Sequence, residues 1–526
     1  MYLEVLLAMS HDNKTIETNP VLQYHNWNSI IFIKKYIFTD TYNLTSMELN
    51  TRLRLPFLFV PIFFLTLISC THKQNWPQFR GPDCSMTVEA ANLPEEWGND
   101  KNIKWSAELD GTGWSSPIVW GDKVFITSAF PEKVNPVPER GPTQGPPPQG
   151  GQGQQPGQPL QQGQEPQPGP PPRPGQGPQG QQAPQPEVRD TTFKEEIYRW
   201  ELICFDLSTG KELWRQISFN GNPKAGKNPG STYACETPVT DGKRIFAYFG
   251  MNGLYCYDID GKLLWQKEFE AYYTQRGWGT GSSPALYRDL LFIQFDNEEN
   301  SFIVALNAAT GEEKWRVQRD EKTSYSTPYI WKNKKRTELI AGGKSVRSYD
   351  PETGKILWEL KAGGEQVIPS PVGNEELLFI GNAAGRGETK AKLFAVKAGV
   401  DGDITDTDVA WVSEESGLGN PSPLLYKGLI YVIGGRGEIA VLDAATGALK
   451  YQKRINGIGS VWASPWANND RIYFLDEKGV TRVFKAGETF EQVAENKLEG
   501  KFWSSVAIAG NSYILKGVGK LYCIGK

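Results

Sequence analysis

Short runs of alternating apolar and polar residues cover most of the chain from residue 102 onwards. Residues 429–433 and 438–442 are typical, because each run is rich in β-branched and aromatic side chains and lies next to glycine. A period of two, with turn residues between the runs, predicts short β-strands rather than helices. Four such runs form one unit, and the unit recurs along the chain.

Each clear unit carries a motif made of an Asp or Asn, a Thr-Gly turn and an aromatic residue. The motif begins at Asp206 and closes on Trp214, and a shorter version begins at Asp258 and closes on Trp265. The turn glycines recur at intervals of 43 to 51 residues, with one interval of 93, and they are Gly210, Gly261, Gly311, Gly354 and Gly447. Self-similarity at about 40–50 residues is typical of β-propellers.

The units open with a Ser or Thr before proline, which fits the first residue of a strand. Eight openings are present when Ser504-Ser505, which lacks the proline, is included. The eighth unit has only three runs, and a fourth stands at residues 102–109, where Trp105 takes the motif position. We therefore predict an all-β, eight-bladed propeller of four-stranded blades over residues 102–526. Residues 102–109 close the last blade, because that pairing leaves no long open edge.

The residues before the propeller predict export and anchoring. Residues 1–46 have no period and are expected to be a mis-assigned upstream extension of a chain that starts at Met47. Residues 47–70 have the layout of a secretory signal peptide, with arginines, an apolar run and a terminal Cys70. Leu-Ile-Ser-Cys resembles a bacterial lipobox, which implies lipidation of Cys70 and a periplasm-facing position in the cell envelope, on the outer membrane. The alternative is an uncleaved anchor or a buried strand.

Two further segments lie outside the repeat. Residues 71–101 are expected to be a tether and a strap on the outside of the propeller. The alternative is that Trp76 and Phe79 close one face while Arg80 pairs with an acidic group there. Residues 135–186 are almost all Pro, Gln and Gly and predict a disordered loop inserted in blade one, for which a spacer is the favoured interpretation and a ligand for a partner the alternative.

Composition excludes several kinds of function. The net charge of −4 and the absence of a dense basic run argue against nucleic-acid binding. The three histidines, His11, His25 and His72, all precede the repeats. A Ser-His-Asp triad or a His-ligated zinc site inside the propeller is therefore excluded.

The motif tryptophans are predicted to be structural, because a large flat ring on the outer strand can wedge against the neighbouring blade. They are Trp105, Trp214, Trp265, Trp315, Trp358 and Trp411, with Tyr451 as a substitute. Cys204, Cys256 and Cys523 occupy the small core position that alanine fills in other units. Cys84 and Cys235 remain as a possible disulfide pair.

The repeated Asp-x-x-Thr-Gly-x-x-x-Trp sequence resembles the tryptophan-docking motif of the pyrroloquinoline quinone (PQQ)-like propellers. That superfamily includes quinoprotein alcohol dehydrogenases and BamB-like lipoproteins of the outer-membrane assembly machinery. The dehydrogenase branch implies an adjacent cysteine pair, a bound Ca²⁺ and a catalytic Asp. No two cysteines are adjacent here, and the blades lack long funnel-forming insertions. The closest build is therefore BamB-like, with PQQ and Ca²⁺ as the alternative cofactors.

Two groups of residues are candidate binding sites. Residues just before the inner strands, with two polar neighbours, are predicted to line one mouth of the axial channel, and they are Trp114, Glu236, Arg276, Trp278, Tyr325, Asn420, Trp462 and Trp503. Packing between inner strands explains them equally well. Residues 220–234 and 270–281 form longer loops expected to overhang this mouth. Asp401, Asp403, Asp406 and Asp408 form a weak Ca²⁺ candidate, for which a solvated acidic hairpin is the favoured interpretation.

The sequence thus predicts a monomeric, lipid-anchored, non-enzymatic scaffold without a cofactor. Its expected partner is an envelope protein or another extended ligand, bound at the aromatic mouth. A PQQ-dependent alcohol dehydrogenase is the first alternative. A glycan-binding propeller is the second, because tryptophan faces also stack on sugars.

Overall fold

The computed structural model describes residues 75–89, 92–132, 196–364, 367–383, 390–435 and 437–526. The upstream extension 1–46, the signal peptide 47–70 with Cys70 and the Pro/Gln/Gly-rich segment 135–186 lie outside the described residues. Across the described ranges, no helix is both long enough and apolar enough to cross a membrane.

Eight sheets, each built on four antiparallel strands, form the eight-bladed all-β propeller, as predicted. The first strands of neighbouring blades touch one another and surround the axis. The strands of blade 1 are Ile118–Trp120, Lys123–Pro131, Tyr198–Asp206 and Glu212–Gly221, and those of blade 2 are Val239–Thr240, Arg244–Tyr248, Leu254–Asp258 and Leu263–Lys267. The strands of blade 3 are Ala285–Tyr287, Leu290–Phe295, Phe302–Asn307 and Glu313–Gln318, and those of blade 4 are Tyr329–Lys332, Thr337–Ala341, Ser345–Tyr349 and Ile356–Lys361. The strands of blade 5 are Val372–Gly373, Leu377–Asn382, Lys392–Lys397 and Val409–Ser413. Blade 6 consists of Leu424–Tyr426, Leu429–Ile433, Glu438–Asp443 and Leu449–Arg454, and blade 7 of Trp466–Asn468, Arg471–Leu475, Val480–Lys485 and Gln492–Lys497.

Blade 8 joins the two ends of the propeller. Its first three strands are Ala507–Ala509, Ser512–Gly517 and Lys520–Gly525, and its outer strand is the N-terminal Ile103–Glu108. In this antiparallel pairing Trp105 lies opposite Cys523 and Ala107 opposite Leu521. The predicted closure of the last blade is confirmed. Two short 3₁₀ turns, Gly250–Asn252 and Gln275–Gly277, are the helical elements of the described chain.

The motif aromatic of one blade lies on the Thr-Gly turn of the next. The indole of Trp105 covers Gly210, where a β-carbon would come within 2.4 Å of the ring. Gly210 has φ +72°, a conformation that favours glycine, and Trp105 Nε1 donates to Leu207 O at 2.8 Å. The same packing places Trp214 on Gly261, Trp265 on Gly311, Trp315 on Gly354 and Trp411 on Gly447.

The residue paired with each docked tryptophan is small. Cys204, Cys256 and Cys523 face Trp214, Trp265 and Trp105 across the sheet, as Ala305 faces Trp315 and Ala395 faces Trp411. All three thiols are free and fully buried. A small side chain at this position leaves room for the indole to turn toward the next blade.

The junction between blades 4 and 5 departs from this pattern, because blade 5 has no Thr-Gly turn. Trp358 donates instead to Glu338 Oε2 of its own blade at 2.7 Å. Gly402–Asp403 adds a parallel fifth strand to the outer strand of blade 4, and Ile404 is buried beside it. The acidic segment is therefore an added strand rather than the expected hairpin.

The strap before the propeller crosses the axial channel. Trp76 forms an antiparallel bridge with Val119 of blade 1, and Thr87–Val88 pairs in parallel with Trp466–Asn468 of blade 7. The segment between them must therefore span the end of the channel. This course differs from the expected strap on the outside of the propeller.

Removal of a docked indole tests this packing. Trp105→Ala should lower the free energy of unfolding by about 3–5 kcal/mol, because a nearly buried ring is lost at the closing blade. The control Leu264→Ala, which truncates an outer-strand side chain that is 45% exposed, should change it by less than about 0.5 kcal/mol. Urea denaturation followed by tryptophan fluorescence gives both values. Equal effects of the two substitutions would contradict the docking role.

Candidate functional site

A ring of hydroxyl groups surrounds the axis where the inner strands begin. The backbone N–H of one blade donates to the hydroxyl oxygen of the next; for example, Ser116 N lies 2.9 Å from Thr237 Oγ1. The bonds run from Ser116 through Thr237, Ser283, Thr327 and Ser370 to Ser422, and from Ser464 through Ser505 back to Ser116. The Ser/Thr-Pro steps, with Ser504-Ser505, therefore build a collar of such bonds at seven of the eight blade junctions, which we call the hydroxyl ring; no bond of this kind joins Ser422 to Ser464 in the described part of the chain.

The strap closes one end of the channel. The side chain of Phe79 lines the channel beneath the hydroxyl ring. Arg80 is buried and donates to Ser370 O at 3.3 Å, Pro371 O at 2.7 Å and Pro423 O at 2.8 Å. The guanidinium thus binds backbone carbonyls of blades 5 and 6, where an acidic partner had been the alternative prediction.

A chamber of about 150 Å³ lies between Phe79 and the opposite mouth. Its wall contains the hydroxyl ring, Cys235 and the aromatic mouth, a name we use for Trp114, Tyr325, Asn420, Trp462 and Trp503. Among the described residues that line it, none is Asp, Glu, Lys, Arg or His. The chamber is therefore bordered by neutral groups, most of them hydrogen-bond donors.

Three indoles stack at the mouth. Trp462 and Trp503 lie nearly parallel, with ring centroids 4.2 Å apart, and Trp114 contacts Trp503 at a tilt of 48°. Lys501 Nζ lies 5.2 Å from the centroid of Trp503, a cation–π contact. The indole N–H groups of all three tryptophans and the Tyr325 hydroxyl are buried without a hydrogen-bond partner among the described residues.

The two long loops meet beside this mouth. Asn228 N donates to Trp278 O at 3.3 Å, and Gly230 lies against the Trp503 ring. The Arg276 guanidinium lies 4.9 Å from the centroid of Trp278. Trp278 and Arg276 therefore belong to the rim of the mouth, although they do not line the chamber.

Glu236 is separate from the aromatic mouth. Its carboxylate is buried, accepts from Thr280 Oγ1 at 2.6 Å and faces a cavity of about 20 Å³ beside Met251. Burial raises the pKa of Glu236 to about 7. Its neighbour Cys235 points the other way, into the chamber. The structure thus removes Glu236 from the predicted group of mouth residues.

Sequence reasoning missed Lys516, which is buried beside the hydroxyl ring. Its ammonium donates to Ser115 Oγ at 2.7 Å, Ser115 O at 3.1 Å and Thr127 O at 2.8 Å. It forms no ion pair with a described carboxylate, and burial lowers its pKa to about 7. The one available signal was a single lysine in the otherwise uncharged run 512–517.

The remaining candidates do not converge on a metal or a disulfide. Asp401 accepts from Arg336 at 2.8 Å and Asp403 from Lys361 at 3.0 Å. Within the described ranges, no three His, Cys, Asp or Glu side chains come together to hold a metal ion. Cys84 and Cys235 are both free, so the possible disulfide is not formed.

The two shifted pKa values predict opposite pH dependences. Lys516 loses its proton at about pH 7 when folded but near 10.5 when unfolded, so the wild type should gain stability relative to Lys516→Met as pH rises through this window.

Glu236 keeps its proton to about pH 7 when folded but only to about 4.5 when unfolded. The wild type should therefore lose stability relative to Glu236→Gln as pH rises from about 4.5 to 7. Urea unfolding at several pH values measures both differences, and differences independent of pH would show that burial does not shift these groups.

Comparison with known proteins gives partial curated relatives and a solved neighbour. The chain is 25% identical to tetrathionate hydrolase of Acidithiobacillus ferrooxidans over 272 residues, 46% of this chain and 51% of that protein. It is 31% identical to methanol dehydrogenase [cytochrome c] subunit 1 of Methylobacterium organophilum over 150 residues, 24% of this chain and 23% of that protein. The chain thus matches about half and about a quarter of their lengths. The structure of a europium-containing methanol dehydrogenase shares the fold, with 10% identity, a TM-score of 0.52 and coverage of 86% of this chain and 90% of that one.

The family match is broader than either curated relative. The model described as outer membrane protein assembly factor BamB matches residues 199–330 and 335–525, which together are more than half of the chain. Both matched segments lie in the blades that build the hydroxyl ring and the mouth. The chain therefore belongs to the PQQ-like propeller family described as outer membrane protein assembly factor BamB.

Proposed function

We propose that this chain is a non-enzymatic scaffold of the bacterial cell envelope that binds a protein or another extended ligand at the aromatic mouth. The observation that carries the proposal is the asymmetry of the channel. Phe79 and Arg80 fill one end, whereas three stacked indoles with unpartnered N–H groups form the other. Aromatic rings with a few polar groups are the usual anchors of protein recognition.

The rim supports an extended ligand rather than a small one. Trp278 and Arg276 extend the aromatic mouth sideways along the loop 270–281, and Lys501 adds a second exposed cation. A segment lying across this rim would contact indoles and cations in turn. Loops carried on a rigid blade scaffold are where binding residues commonly lie.

The proposed setting is the periplasmic face of the outer membrane. The signal-like residues 47–70 and the lipobox-like sequence ending at Cys70 support anchoring through a lipid. Membership of a family described by an outer membrane assembly factor supports the same location. The propeller acts as a monomer in this proposal, because the closed ring satisfies its own sheet edges at the termini.

The methanol dehydrogenase relative favours PQQ with Ca²⁺ as a second candidate. The residues present do not fit that cofactor. Pockets that bury small ligands usually enclose about 300–1,000 Å³, whereas this chamber holds about 150 Å³ and its floor is a phenyl ring. A quinone with three carboxylates would also meet no charged residue among the described lining, and no acidic cluster stands beside it for Ca²⁺.

A matched pair of substitutions tests the mouth. Arg276→Ala/Trp278→Ala should weaken binding of an envelope protein at least about tenfold, because it removes a cation–aromatic anchor at the rim. The control Arg288→Ala/Tyr287→Ala removes the equivalent pair, 5.0 Å apart, beside the inner strand of blade 3, and should leave binding unchanged. The measurement is photo-crosslinking in intact envelopes from a probe placed at Lys501, followed by affinity measurement with the captured protein.

The alternatives give different results in the same material. Stoichiometric quinone absorbance and dye-linked alcohol oxidation after addition of PQQ and Ca²⁺ would overturn the scaffold proposal. Binding to a polysaccharide panel that is lost in Trp278→Ala and Trp462→Ala, without protein crosslinks, would favour a glycan-binding propeller. Equal loss of protein binding in both double variants would show that the mouth is not the binding surface.

A further inference from the structure

We propose that the chamber beneath the aromatic mouth is a binding site for a small, fully ionised oxoanion such as sulfate. This inference concerns the chamber alone and does not rest on the proposed scaffold function. It follows from a ring of hydroxyl protons that no described protein acceptor binds and from two buried basic side chains that form no ion pair with a described carboxylate.

The hydroxyl ring supplies the first donors. The oxygens of Thr237, Ser283 and Thr327 each accept a backbone N–H at 2.9 to 3.1 Å. Ser370, Ser422, Ser505 and Ser116 accept in the same way. In the part of the chain that the structure describes, none of these seven hydroxyls donates to a protein acceptor. Because a hydroxyl that accepts still has its own proton to donate, the ring offers its O–H groups to whatever occupies the chamber.

The mouth supplies a second set of donors. Trp114, Trp462 and Trp503 each carry a buried indole N–H without a partner, and the Tyr325 hydroxyl is in the same state. An indole N–H can only donate. Leaving a buried donor unsatisfied costs free energy, and all four of these groups belong to residues that line the chamber.

Two basic side chains lie behind the wall. Arg80 and Lys516 are buried and bind protein carbonyls and one hydroxyl, and neither forms an ion pair with a described carboxylate. Arg80 also has an unpartnered Nε. Buried positive charge without a counter-ion is unfavourable. Ser370 and Ser116 of the hydroxyl ring lie on blades 5 and 1, and these blades also bind Arg80 and Lys516. An anion held by the ring would therefore offset part of this cost.

The absence of a charged acceptor from the described lining of the chamber also discriminates between oxoanions. None of the described residues that line the chamber is a carboxylate, so a ligand with its own O–H finds only neutral hydroxyl, amide and backbone oxygens as acceptors there. Sulfate carries no proton at neutral pH, whereas hydrogen phosphate does. A chamber of about 150 Å³ admits a four-oxygen anion but not a fused-ring cofactor. We therefore expect sulfate to bind more tightly than phosphate.

Isothermal titration of the full chain with sodium sulfate tests the site. We expect one sulfate per chain, bound at least about tenfold more tightly than hydrogen phosphate, with sodium chloride at equal ionic strength giving no saturable heat. Absence of saturable sulfate binding would overturn the proposal. Chloride competing as strongly as sulfate would do the same, because it would indicate a non-specific positive site.

A matched pair of isosteric substitutions localises the binding. Thr237→Val removes one hydroxyl of the ring and should weaken sulfate binding about tenfold. Thr240→Val removes a hydroxyl that also accepts a backbone N–H, from Gly242 at 3.0 Å, but lies at the far end of the same inner strand, and it should leave the affinity unchanged. If Thr237→Val does not fold, Thr327→Val replaces it in the same ring. Equal affinities for sulfate in the ring and control variants would overturn the assignment to this chamber.

Discussion

The structure depends on one pairing between residues about 400 positions apart. Ile103–Glu108 supplies the outer strand of blade 8 and thereby joins the first described part of the chain to its last strand. Trp105 then covers Gly210 of blade 1, so the same strand both completes one blade and packs on the next. The hydroxyl ring also bridges this junction, where Ser505 N donates to Ser116 Oγ. Each blade of such a ring packs its two faces against its two neighbours, so this one junction completes the packing of both the first and the last blade.

Closure determines what the channel can do. The strap enters it from one end, where Phe79 forms a floor and Arg80 binds carbonyls of two blades. The other end keeps stacked indoles, unpartnered donors and two long loops. The chamber between them is small, and none of the described residues that line it is charged. This combination is the ground on which we propose a binding role rather than quinone chemistry, although both occur on propellers of this build.

The periodic features could be read from the sequence, and the long-range contacts of single side chains could not. Strand alternation, the Thr-Gly turns and the unmatched run at 102–109 are local patterns, and they gave the blade number and the closing strand correctly. The course of Phe79 and Arg80 depends on where the strap meets blades 5 and 6, which no local pattern encodes. The bond between Trp358 and Glu338 arises because blade 5 lacks a turn to receive the indole. The burial of Lys516 and the bonds of the hydroxyl ring depend on contacts between neighbouring blades, which no single repeat of the sequence shows.

Hydrogen exchange measured by mass spectrometry tests the closing strand most directly. The account predicts that the amides of residues 105–108 that pair with blade 8 exchange as slowly as those of residues 521–524, because both belong to one cooperative sheet. Protection of residues 521–524 together with rapid, coil-like exchange of residues 105–108 would contradict it. In that case the last blade would have an open edge, and the ring on which the collar, the chamber and the mouth depend would not be closed.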